Sequence, residues 1–144
     1  MADKALSQQV LAEHEILMHV TNALRTVLDW QDRDYDLSRK LSSLRFTTES
    51  FQRHLLRLMS LEEHHGYMEA IAESRPDLHA EAETLHQDHD EIRRSLNEIV
   101  HGLETLTAVD HAGYARASES LSRLLERVER HGNQEAELLE QALL

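Results

Sequence analysis

The chain has 144 residues, no cysteine, and 15 Lys+Arg against 27 Asp+Glu, a formal net charge of −12 with histidines neutral. This balance excludes disulfides, thiolate-bound zinc, iron–sulfur clusters, covalent haem attachment and thiol nucleophiles. It also argues against a nucleic-acid partner, because the basic residues are scattered among acids at helical spacing and form no stripe. With 40% apolar residues, 4% aromatic ones, 4 glycines and 1 proline, one all-α domain spanning 1–144 is expected. The anomaly is histidine, at 11 residues. Met1-Ala2-Asp3-Lys4 opens no apolar leader and no run reaches the roughly 18 apolar residues of a membrane span, so a cytoplasmic protein without a membrane partner is expected.

Breakers fall at Asp32 to Asp36, at Ser74-Arg75-Pro76-Asp77 and from Thr107 to Gly113, where Asp110 can cap a helix. They leave helical segments near 4–30, 37–73, 77–106 and 111–143, with Gly66 able to bend or end the second. Long helices joined by short connections form an antiparallel up-down-up-down four-helix bundle. In the first helix the apolar seam runs Leu6, Val10, His14, Leu17, Val20, Leu24, Leu28. The second reads Leu37, Leu41, Leu44, Thr48, Phe51, Leu55, Leu58, Glu62, then His65. The third reads Leu78, Ala82, Leu85, His89, Ile92, Leu96, Ile99, Leu103, Leu106, and the fourth Ala117, Leu121, Leu124, Val128, His131, Glu135, Leu138, Ala142. Every seam is interrupted by an ionisable residue.

Depth along the bundle tests whether those interruptions meet. His14 and His89 lie about 11 and 12 residues from the starts of helices one and three, and Glu62 and His131 about 11 and 12 from the ends of helices two and four. In an up-down bundle those starts and ends share one pole. At about 1.5 Å per residue the interruptions, with Glu135 one turn from His131, converge roughly 15–18 Å below it. Buried carboxylates are normally paired or metal-bound. Two chemistries fit: glutamates hydrogen-bonded to imidazolium rings, or a metal held by imidazole nitrogen and carboxylate oxygen, ligands that iron, manganese or zinc accept without thiolate. His131 and Glu135, at i,i+4, can reach one centre. The two halves are also alike, with 48 residues between His14 and Glu62 and 46 between His89 and Glu135, as in a duplicated helical hairpin.

Glu13-His14-Glu15-Ile16-Leu17, Asp88-His89-Asp90-Glu91-Ile92 and His131 to Glu135 followed by Ala136-Glu137-Leu138-Leu139 resemble three elements of the hemerythrin-like, or HHE cation-binding, domain. Leu61-Glu62-Glu63-His64-His65-Gly66-Tyr67-Met68 resembles the acidic, glycine-containing stretch after the helix-two ligand histidine in some bacterial members. The resemblance implies a hemerythrin-like four-helix bundle with a non-haem di-iron centre, terminal histidines and two bridging glutamates, and dioxygen or peroxide as the small ligand. On this sequence the metal ligands it implies are His14, Glu62, His89, His131 and Glu135. The pattern departs at one place: four residues before Glu62, where the family has histidine, this chain has Leu58. His54, His65 or His86 is the nearest substitute, and of these His86 is taken as a sixth candidate ligand. The consequences span a di-iron centre with an extra open position, suited to peroxide-decomposing or oxygen-activating chemistry, a single iron or zinc ion, and a metal-free module that keeps only the fold. His19, His64, His79, His101 and His111 are expected on the surface, Met18, Met59 and Met68 as core or flank filler, and Tyr67 and Phe51 as possible pocket lining.

Overall fold

The computed structural model describes residues 2–29, 36–64, 71 and 73–143. Four helices dominate it: α1 (Ala2–Asp29), α2 (Leu37–His64), α3 (His79–Thr105) and α4 (His111–Leu143). The second helix is described through His64, and Ile71, Glu73 and Ser74 are helical before Arg75 breaks the run. The third segment begins as a 3-10 turn at Pro76–Leu78, because proline fits a helix's first turn, and becomes α-helical at His79. Expected features that fall on Trp30, Tyr35, His65, Gly66, Tyr67 and Met68 lie outside the described residues.

Each helix packs on two others, α1 on α2, α2 on α3, α3 on α4 and α4 on α1, which closes a four-membered ring around one core. Cross-helix bonds fix the directions. Arg45, early in α2, donates to the carbonyls of Leu103 and Leu106 at the end of α3 (2.7 and 2.6 Å), and Glu63, at the end of α2, meets His89 early in α3. Arg25 of α1 pairs with Glu129 at 2.5 Å, while the earlier His14 meets the later Glu135. Neighbours therefore run antiparallel.

Local chemistry sets the helix ends. Asp36 Oδ1 accepts from the Arg39 amide at 2.8 Å and Asp110 Oδ1 from the Gly113 amide at 2.8 Å, each relieving an orphan donor in a first turn. Gly113 has no room for more, since a Cβ there would collide with Asp110 and Leu106. At the other pole of the bundle Arg75 holds the carbonyl of Gln141 at 2.7 Å, tying the break before α3 to the end of α4.

The seams read from the sequence are the core. Val10, Leu17, Leu24, Leu44, Phe51, Ile92, Leu96 and Leu121 are all buried. Phe51 stands 11 residues, or about 16 Å, along α2 from Glu62, so it packs the core away from the ionisable layer. Met59 is buried, whereas Met18 is 54% exposed and fills no core space. Leu121→Ala is expected to cost about 2–5 kcal/mol in urea unfolding, the range for an aliphatic side chain removed from a close-packed core. Phe46→Ser, at a residue 73% exposed, should change stability by less than about 0.5 kcal/mol. Equal effects of the two substitutions would contradict this packing.

Candidate metal centre

His14, Glu62, His89, His131 and Glu135 meet in one layer, each helix supplying at least one of them. The Nε2 atom of His14 lies 3.5 Å from Glu62 Oε1 and 3.4 Å from Glu135 Oε2. That of His89 lies 3.3 Å from Glu62 Oε2 and 3.2 Å from Glu135 Oε1. His131 Nε2 also faces Glu135 Oε1, one helical turn along α4. The His89 and His131 rings meet edge to face with centroids 5.0 Å apart. Glu62 and Glu135 are buried to 1% and 2% exposure, and His14 is the most open member, its side chain 18% exposed.

These atoms form two potential ligand sets. His89, His131 and Glu135 offer one, and His14, Glu62 and Glu135 the other, the donor atoms of each lying within 4.8 Å of one another. Glu135 belongs to both, through Oε1 toward the histidine pair and Oε2 toward His14. One carboxylate thus faces two centres, an arrangement that four helices each contributing inward side chains can build.

Carboxylates outside the layer hold two of the rings. His89 Nδ1 is 3.1 Å from Glu63 Oε1, and Glu63 Oε2 accepts from Arg93 at 2.6 Å. His131 Nδ1 is 3.4 Å from Asp88 Oδ2, and Arg127 bonds the other oxygen of Asp88 at 3.4 Å and also Glu91. A carboxylate at Nδ1 holds the proton there and leaves the Nε2 lone pair of a neutral ring facing inward, the usual support for a metal-bound histidine. Those lone pairs would then oppose the Glu62 and Glu135 oxygens. Both Glu62 oxygens, His14 Nε2 and His131 Nε2 are buried without a hydrogen-bond partner. Cations between nitrogen and oxygen, one in each set, would satisfy these atoms, so the residues present fit a metal.

Without metal, protons take that role. Burial opposes charge on His14 and His89, but Glu135 and Glu62 outweigh it and raise the two imidazoles from 6.5 to about 9 and about 10. Burial pushes Glu62 up, the two histidines opposing it. Burial pushes Glu135 the same way, but His131, His14 and His89 prevail and hold it well below the ordinary carboxylate range. Burial likewise opposes charge on Glu63, yet Arg93 and His89 lower it.

Of the sequence-derived candidates, five share the layer. His86 is exposed, its ring centroid 5.9 Å from that of His89, and it groups with Glu63 on the outer side of His89. Leu58 is buried in the apolar core at 3% exposure. His54 is half-buried with Nδ1 unpartnered, and it joins none of the ligand clusters among the described residues. His19, His79, His101 and His111 are exposed. The sequence reading missed Glu63, Asp88, Arg93 and Arg127, which flank the ligands off the seams. Glu13 was missed too: it is buried beside His14 and paired with Arg57 at 3.3 Å.

The hemerythrin HHE cation-binding domain model matches residues 5–143. The chain belongs to that family. No curated protein and no solved structure matches it. The family match covers all four helices and includes every residue of the layer. No helix among the described residues is long and apolar enough to cross a membrane.

The raised imidazoles make a pH prediction for the metal-free protein. A base that binds its proton more tightly when folded adds stability that is complete below its unfolded value and lost as pH rises through the folded one. The melting temperature of metal-free protein should therefore fall as pH rises from 6.5 through about 9 and about 10, where His14 and His89 lose their protons. Metal-loaded protein should show a flatter curve, because its rings are already deprotonated and ligated. Thermal melts followed by circular dichroism, with and without chelator, measure both; identical curves would contradict the assignment.

Proposed function

We propose that this protein binds two iron ions in the core of the bundle and uses them to bind or react with dioxygen or peroxide. The observation that carries this reading is the sharing of Glu135 between two buried ligand sets, one with His89 and His131, the other with His14 and Glu62. An all imidazole-and-carboxylate donor set suits iron in a non-haem site. Bound iron would supply the one-electron chemistry that dioxygen and peroxide require. The chain's own residues do the rest. Glu62 and Glu135 supply negative charge against the two cations, Glu63 and Asp88 orient His89 and His131, and the core around the layer limits access of water.

The two positions are unequal. One has two histidines and the other one, in keeping with Leu58 standing where the resemblance leads one to expect a further imidazole. A site with fewer protein donors leaves more of the cation open to an exogenous ligand. His14 borders a cavity of about 240 Å3 between α1 and α4, walled by Leu11, Leu17, Met18 and Val128 and opened by Gly132. Those features favour reaction with a small molecule over closed structural binding.

A second reading keeps the fold without the metal. His14 and His89, protonated, neutralise the layer's carboxylates, so the core can close on hydrogen-bonded ion pairs and present a helical interaction module. Anaerobic titration with ferrous iron separates the two readings. The first expects about two equivalents bound, falling to about one in His131→Ala and to near zero in Glu135→Ala, which removes the shared ligand, while His86→Ala retains both. Less than about a tenth of an equivalent in the unaltered protein, with a melting temperature insensitive to iron and chelator, would support the metal-free module instead. Iron bound without any uptake of dioxygen or peroxide would restrict the function to holding the metal.

A further inference from the structure

Away from the metal layer, which it approaches only at Arg127, a groove of about 540 Å3 lies between α3 and α4, within the size range of small-molecule sites. Its floor is apolar, with Ile99, Leu106 and Leu124, and Arg116, Arg123 and Arg127 line it from α4. Their spacings of seven and four residues keep the three guanidinium groups along one face of that helix. Glu98 is the one acid in the lining, against these three arginines.

The cations are not equally engaged. Arg127 bonds Glu91 and Asp88, and Arg123 pairs with Glu119 one turn back on its own helix at 2.5 Å. Exposed pairs of the latter kind exchange partners at little cost. Arg116 has no acidic partner among the described residues.

Gly102 shows that the groove is kept open. It lies inside α3, where glycine is the poorest helix former after proline, and a Cβ built there meets nothing within 4 Å. Gly113, by contrast, is required by its neighbours. Nothing in the fold demands glycine at 102, and any larger side chain would project into the groove that it lines. No aromatic residue lines the groove, so it offers no stacking surface for a nucleobase.

We infer that this groove binds a single-chain amphiphile with an anionic head, a medium-chain carboxylate, whose tail lies over Ile99, Gly102 and Leu124 and whose carboxylate pairs with Arg116. The arginine fork matches a carboxylate, and the floor matches an acyl chain. From Arg116 to Arg127 the helix rises about 16 Å, a span suited to a chain of that class. This site does not depend on the metal reading, because Ile99, Gly102, Arg116 and Leu124, which would hold the ligand, take no part in the metal layer.

Titration of the metal-free full-length protein with decanoate, decanol and acetate, followed by two-dimensional amide NMR, tests it. Decanoate should shift Ile99, Gly102, Arg116, Ser120 and Leu124, with decanol and acetate at least about fivefold weaker for want of the head or the tail. Gly102→Leu should abolish binding while retaining the helical spectrum, and Arg116→Ala should weaken decanoate about fivefold or more without altering decanol. Equal binding of decanoate and decanol, full binding by Gly102→Leu, or shifts confined to other surfaces would overturn the inference. So would a concentration-dependent dimer dissolved by Gly102→Leu, which would make the groove's occupant a second copy of the chain.

Discussion

Two carboxylates, Glu62 and Glu135, sit almost fully buried in an apolar four-helix core, and the rest of the layer is organised around neutralising them. An unpaired buried carboxylate is too costly to persist, so three imidazole nitrogens converge on the four oxygens from α1, α3 and α4. That convergence fixes which faces of the helices must meet and at what height. Protons on His14 and His89 and cations between nitrogen and oxygen are alternative solutions to the same electrostatic problem. The fold accommodates either, and metal binding must therefore displace protons.

The surroundings of the layer bias that competition. Glu63 and Asp88 approach His89 and His131 from outside, at Nδ1, and each is itself held by an arginine. An outer carboxylate fixes ring rotation and tautomer and strengthens the inward lone pair as a donor. His14 has no carboxylate acting on it in this way among the described residues, and it stands beside the α1/α4 cavity. The two ligand sets thus differ in outer support and in access as well as in histidine number.

Much of this was legible in the sequence because helical rise is constant. Seam position gave the face of each side chain, and counting residues from the chain breaks gave its depth, so His14, Glu62, His89, His131 and Glu135 could be assigned to one layer before any contact was known. Other features were not legible, for identifiable reasons. The seam rule looks inward, so Glu63, Asp88 and Arg93 read as ordinary solvated residues although each supports a ring from the flank. Their sole signal is adjacency to a seam residue, Glu63 after Glu62 and Asp88 before His89. His86 shared the seam's rough spacing, but it lies three residues before His89 and turns out to the exposed edge of α3. Met18, expected in the core or on a flank, is exposed and lines the α1/α4 cavity. The start of α3 was misplaced by the 3-10 turn, whose tighter winding a 3.6-residue period does not register.

Whether the carboxylates and imidazoles of one layer form a shared-ligand metal centre is decided by anomalous diffraction at the iron edge from crystals of iron-loaded protein. Two peaks are expected inside the bundle, one among His89, His131 and Glu135 and the other among His14, Glu62 and Glu135, with Glu135 between them. A core without any peak, or iron found only at surface residues such as His86 or His79, would contradict it.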